Sequence, residues 1–70
     1  MPAITDEVYA CLTRRHQAIP TIKQAVLDRT GRPVSFSSVA QALARLVDGG
    51  KAEQQEGRYL GRRVQVYRRK

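Results

Sequence analysis

The sequence predicts an α+β fold: a three-helix bundle followed by a two-stranded β-hairpin. Three observations predict it. The stretch Val34–Gly50 has a marked helix start, an apolar stripe at helical spacing and a glycine stop. Two shorter segments ahead of it carry the same period, each closed by a breaker. After Gly50 the period changes from that of a helix to the alternation of a strand.

In chain order, the first helix is expected over residues 5–16. Thr5 can cap it, and Asp6 and Glu7 suit its positive end. Ile4, Val8, Cys11 and Leu12 recur at i, i+4, i+7 and i+8, and Arg14, Arg15 and His16 would fall in the last turn, where cations complement the dipole. Cys11 belongs to this stripe and reads as a packed thiol. Tyr9 sits at the stripe's edge, either core rim or contact with a second copy.

Ala18-Ile19-Pro20 interrupts the helix and has room for a very short third strand, because the residue before a proline avoids the helical region. A second helix follows over 21–30, with Thr21 and Gln24 spaced as a capping box. Its narrow buried side is Ile22, Ala25 and Val26, and Gly31 and Pro33 stop it.

The third helix, 35–48, is the best marked. Ser35 is the N-cap, and Val34 can staple onto Val39. Phe36, Val39, Leu43, Leu46 and Val47 share one arc at about 100° per residue, with Ala42 at its edge. Ser37, Ser38, Gln41, Arg45 and Asp48 occupy the opposite arc, and Gly49 and Gly50 can end the helix in the left-handed conformation. Beyond them, 51–55 reads as a polar edge strand. In the second strand, 62–68, Val64 and Val66 form the inward side and Arg63, Gln65 and Tyr67 the outward one. The segment Glu56–Arg62 between them, basic and bracketed by glycines, reads as a mobile tip.

Seventy residues make a single domain, 1–70, near the lower limit for a self-sufficient core, and a second copy would help to stabilise it. Charge is the unusual quantity: thirteen Lys+Arg against six Asp+Glu leave a net of +7. Residues 36–70 hold eight basic and three acidic side chains, and from Arg58 onward there are six basic residues and no acid. Such asymmetry points to a polyanionic partner.

Other classes are disfavoured. One cysteine and one histidine show no nucleophile–base or metal-ligand spacing, so neither an enzyme nor a cofactor is expected. The longest apolar run, Val8–Leu12, is far too short to span a membrane. Asp6 and Glu7 stand where a signal peptide needs positive charge and then an apolar stretch. A lone cysteine fits a reducing compartment, and the expected location is the cytoplasm.

The run from Thr21 through Thr30-Gly31 to Ser37-Ser38-Val39, Leu43, Leu46 and Gly49-Gly50, followed by a glycine-rich basic hairpin, resembles the winged helix-turn-helix superfamily of DNA-binding domains. The resemblance covers roughly residues 5–68. One departure is the connection Thr30–Val34, longer than the turn of a strict helix-turn-helix.

The resemblance implies a recognition helix at 35–48, a wing at the hairpin, and a small prokaryotic or phage-type transcriptional regulator acting on double-stranded DNA. Ser37, Ser38 and Gln41 would then face base edges, with Gln suited to adenine. Arg45 suits guanine or a phosphate. Arg58, Arg62 and Arg63 would reach phosphates or the minor groove from the wing, and Tyr59 or Leu60 at its tip could touch sugar. Lys23 and Arg32 are flanking phosphate candidates. Such small readers often bind as homodimers.

Three other readings stay open on the sequence. The third helix can simply cover a core with a solvated polar face. The same basic hairpin suits an RNA-binding, ribosome-associated winged helix. A protein-interaction winged helix would use the helix-three face against a partner.

Overall fold

The computed structural model describes residues 4–70; residues 1–3 of the expected domain lie outside the described residues. The elements run α1 (Ile4–Cys11), β1 (Gln17–Ala18), α2 (Ile19–Thr30), α3 (Phe36–Asp48), β2 (Ala52–Tyr59) and β3 (Arg62–Arg69). Three helices pack together, with α2 and α3 against a three-stranded antiparallel sheet of order β1-β3-β2, so the α+β class stands.

The first helix ends earlier than expected. Its described part, Ile4–Cys11, contains Thr5, the expected cap, and it ends at Cys11 rather than His16. Tertiary pairing takes the chain from there. The Thr13 carbonyl accepts the Arg69 N–H at 2.7 Å, and Gln17 and Ala18 pair with Tyr67 and Val66 of β3. Thr13 Oγ1 accepts the Arg15 N–H at 3.2 Å, a local turn that competes with helix. Arg14, Arg15 and His16 therefore lie on the connection, not in a last helical turn.

The third strand does form, as the two residues Gln17 and Ala18 rather than Ala18–Pro20. The second helix begins at Ile19, two residues early, because Pro20 fits its first turn, where a missing N–H costs nothing. The expected Thr21–Gln24 capping box is replaced: Ala18 is the N-cap, with no side-chain cap, and Gln24 Nε2 instead donates to Asp28 Oδ1 at 3.0 Å. Gly31 ends the helix as expected, at φ 71°, its N–H on the Leu27 carbonyl.

Helix α3 matches its signals. Ser35 Oγ accepts the Ser38 N–H at 3.1 Å. At the other end Gly50, at φ 73°, takes the left-handed conformation, while Gly49 does not. Val39, Ala42, Leu43 and Leu46 are buried, and Val34 and Val47 pack against the same cluster. Phe36 departs from the expected apolar arc and is 55% exposed. It occupies the first position of the helix.

The core joins Val8 and Leu12, Ile22 and Val26, the buried face of α3, Ala52 and Tyr67. Tyr67 corrects the sequence reading of β3. It points into this cluster, and its neighbour Val66, also buried, faces the other side of the sheet. Burial pushes the Tyr67 phenol up. Cys11 packs at the cluster's margin, and burial likewise raises its thiol, favouring the unreactive protonated form.

The hairpin is longer and tighter than expected. Strand β2 runs to Tyr59 instead of stopping at Gln55, and β3 runs to Arg69. The whole segment from Glu56 to Tyr59 is paired, down to Tyr59 opposite Arg62, so the loop shrinks to Leu60-Gly61. Both turn residues have positive φ, 51° and 80°, as a twist-matched two-residue hairpin requires. Gly57 sits in mid-strand for a steric reason. A Cβ there would lie 2.8 and 2.9 Å from the two γ-carbons of Val66.

Candidate nucleic-acid interface

Helix α3 is held on one side by the core and open on the other. Its N-cap and glycine stop fix its ends, and α1, α2 and β2 pack against its buried face. Its exposed residues are Phe36, Ser37, Gln41, Ala44, Arg45 and Asp48, and of these Ser37, Gln41 and Arg45 recur at every fourth residue. Ser37, Gln41 and Arg45 therefore share one solvent-facing line. Ser38 is placed differently: it is half-buried, and its hydroxyl lies 2.8 Å from Ser35 Oγ, within the cap.

The hairpin gathers a second group. Arg58 stands directly opposite Arg63, and Arg62 opposite Tyr59. From Gln54 to Gln65 every residue is exposed or half-buried, so this half of the hairpin is free of the core. Arg63 Nε lies 3.3 Å from Glu56 Oε1, but the pair is 78% and 59% exposed, and such a pair is weakly held. Arg63 can exchange that carboxylate for another anion at little cost.

The remaining tail arginines are committed to the fold. Arg68 reaches Glu53 Oε2 through Nε at 2.7 Å and Nη2 at 2.6 Å, and this hydrogen bonding holds the Glu53 carboxyl below the usual carboxylate range. Arg69 lies over the Tyr9 ring. Among the described residues the ion pairs engage Arg29, Arg63 and Arg68, leaving Arg45, Arg58 and Arg62 outside them. This division of labour was invisible in the sequence, where Arg58 to Lys70 reads as one undivided basic run. The alternation of β3 does not reveal it, because it places the exposed Arg63 and the committed Arg69 on the same side as Tyr67.

Lys23 and Arg32 are both exposed, toward opposite ends of α2, and line separate grooves. Lys23 borders one formed by Pro20, Leu27, Pro33 and Val34. Arg32 borders another with Ile4, Glu7, Arg29 and Val34, where Arg29 pairs with Glu7 at 3.4 Å. They are joined neither to each other nor to the hairpin group.

No protein-family model matches this chain. No curated protein matches it either. Among the described residues no group of three or more His, Cys, Asp or Glu side chains is placed to hold a metal ion, and no helix is long and apolar enough to cross a membrane.

Chemically, the surface offers a hydroxyl, a carboxamide and a guanidinium in line along a rigid helix, and three guanidiniums on a projecting ribbon. Such donors suit base edges and phosphates, and arginine offers a planar fork for either.

Proposed function

We propose that this chain is a winged-helix protein that binds double-stranded DNA sequence-specifically, as a small cytoplasmic transcriptional regulator. In this reading α3 is the recognition helix, β2–β3 is the wing, and β1 is the short strand that ties the helices to it. The observation that carries the proposal is the exposed line Ser37–Gln41–Arg45, on a helix whose other face, Phe36 apart, packs on the core.

A major groove about 12 Å wide admits such a helix. Ser37 and Gln41, in its first two turns, would meet base edges. Arg45 would take a guanine edge or a phosphate. The wing's Arg58, Arg62 and Arg63 would neutralise backbone charge, with Lys23 and Arg32 reaching flanking phosphates. A pair of copies on related half-sites would supply the area that one small domain lacks.

Fluorescence anisotropy with labelled random-sequence duplex DNA, titrated over a range of salt, tests this. The expected log–log slope is about −0.9 per phosphate neutralised. Arg62→Ala combined with Arg63→Ala should weaken all duplexes alike and flatten the slope by up to about 2. A slope near zero for the unmodified protein, or tighter binding to double-stranded RNA of the same length, would refute the reading.

A further inference from the structure

Leu60 is an anomaly in this structure. It is 88% exposed, the first of the two residues that turn the hairpin, and its backbone is left-handed at φ 51°. Turns of this kind are ordinarily filled by Asn-Gly or Asp-Gly, because a side chain with a branched apolar body gains nothing from the left-handed conformation. Leu60 thus bears a backbone cost without burial to offset it. A lone exposed leucine is unremarkable in itself; one forced into this conformation at the tip of a projecting ribbon is not.

Its surroundings indicate what it meets. Arg62 lies two residues away, and Arg58 and Arg63 face each other one step further down the ribbon. The side of Tyr59 is half-buried beside them. An apolar point above three guanidiniums, Arg62 on one face of the ribbon and Arg58 and Arg63 on the other, complements a surface with phosphates at its edges and an apolar interior. The stacked base pairs of a duplex, seen from the minor groove, are such a surface.

We infer that Leu60 is a wedge that enters a base step from the minor groove, unstacking it and bending the duplex, while Arg58, Arg62 and Arg63 hold the flanking phosphates. This rests on the proposed duplex-binding role and deepens it. Inserted apolar side chains kink DNA by about 20–90° toward the major groove, and pyrimidine–purine steps yield most readily. The site would therefore favour a flexible step under the wing, a preference read through deformability without a hydrogen bond to any base.

The deciding variant is Leu60→Asn, because Asn-Gly suits this turn better than Leu-Gly and the fold should be kept or strengthened, as its Tm will report. The probe is a random-sequence duplex of about 24 base pairs with 2-aminopurine at a central TA step and a dye pair at its ends. The unmodified protein should brighten the 2-aminopurine and raise end-to-end energy transfer. Leu60→Asn should lose both signals and bind about tenfold more weakly with its salt slope unchanged, while Leu60→Met keeps them.

Unmodified protein that binds with a steep salt slope, but whose bending and affinity survive Leu60→Asn, would overturn the wedge and leave duplex binding intact. Failure of the unmodified protein to bind any duplex would overturn both. Loss of binding to phosphatidylserine vesicles in Leu60→Asn, with duplex distortion unchanged, would assign the tip to a membrane surface and overturn the wedge as well.

Discussion

The Arg69 guanidinium carbon lies 4.7 Å from the centroid of the Tyr9 ring, and Arg69 Nη2 donates to the Tyr9 carbonyl at 3.0 Å. This contact ties the last strand to the first helix, sixty positions away. Lys51 Nζ lies 5.9 Å from the same ring. Tyr9 is therefore a rim residue of the core that receives two cations. Arg69→Ala should cost about 1–2 kcal/mol of stability, from the lost cation–π contact and charged hydrogen bond. Urea unfolding would measure it. The salt slope of duplex binding should not move, which separates Arg69 from the arginines of the hairpin tip.

Gln41 lies in the middle of the exposed line on α3, away from the core. If it reads a base, Gln41→Ala should lose about 1–3 kcal/mol of discrimination between duplex sequences while changing random-sequence affinity little. Selection of preferred sequences with each protein, followed by competition binding, checks this. Equal losses on selected and random duplexes would remove Gln41 from the base-reading surface.

Gly57 and Val66 interlock on the outer side of the hairpin. Gly57→Ala should destabilise by about 1–3 kcal/mol, because the new methyl overlaps both γ-carbons of Val66 and the strands must shift to admit it. Adding Val66→Ala should recover part of that loss. A double-mutant cycle with no coupling would show that the hairpin tolerates the overlap by bending elsewhere.

The Glu53 carboxyl sits below its usual range chiefly because of the Arg68 hydrogen bond, helped by the positive charges of Arg68, Lys70 and His16 and opposed by desolvation. A carboxyl depressed in the folded state stabilises it above the unfolded carboxyl's pKa, and that contribution disappears as pH falls through the lower folded value. The loss should thus appear only in acid, at and below the ordinary carboxylate range. Titration of the Glu53 carboxyl by NMR should find a depressed value that Arg68→Ala returns toward normal. An unshifted Glu53 would mean that the contact does not persist in solution.

Local signals sufficed where an element carried its own ends. Ser35 and the glycines after Asp48 bounded α3, and Gly31 closed α2, because capping bonds are satisfied within a few residues. They failed where a distant strand supplied the partner. Nothing near Thr13 announces that its carbonyl will receive the Arg69 N–H, yet that pairing draws out the chain after α1 and sets up β1. The sequence suggests too long a hairpin loop for a related reason: Gly57 looks like a breaker until Val66 is seen to fill the space beside it. The candidate surface divided the same way. The line Ser37–Gln41–Arg45 was legible from helical spacing, whereas the commitment of Ser38 to the cap and of Arg68 and Arg69 to structural partners was not.

Three helices, a basic hairpin and the polar stripe of α3 are legible in the chain, since spacing, caps and charge are properties of neighbouring residues. Long-range packing sets which arginines stay outside ion pairs, where α1 stops, and that Leu60 rather than a longer loop caps the ribbon. Those outcomes depend on strands meeting across the fold, and each backbone or guanidinium donor goes to whichever acceptor packing brings within reach.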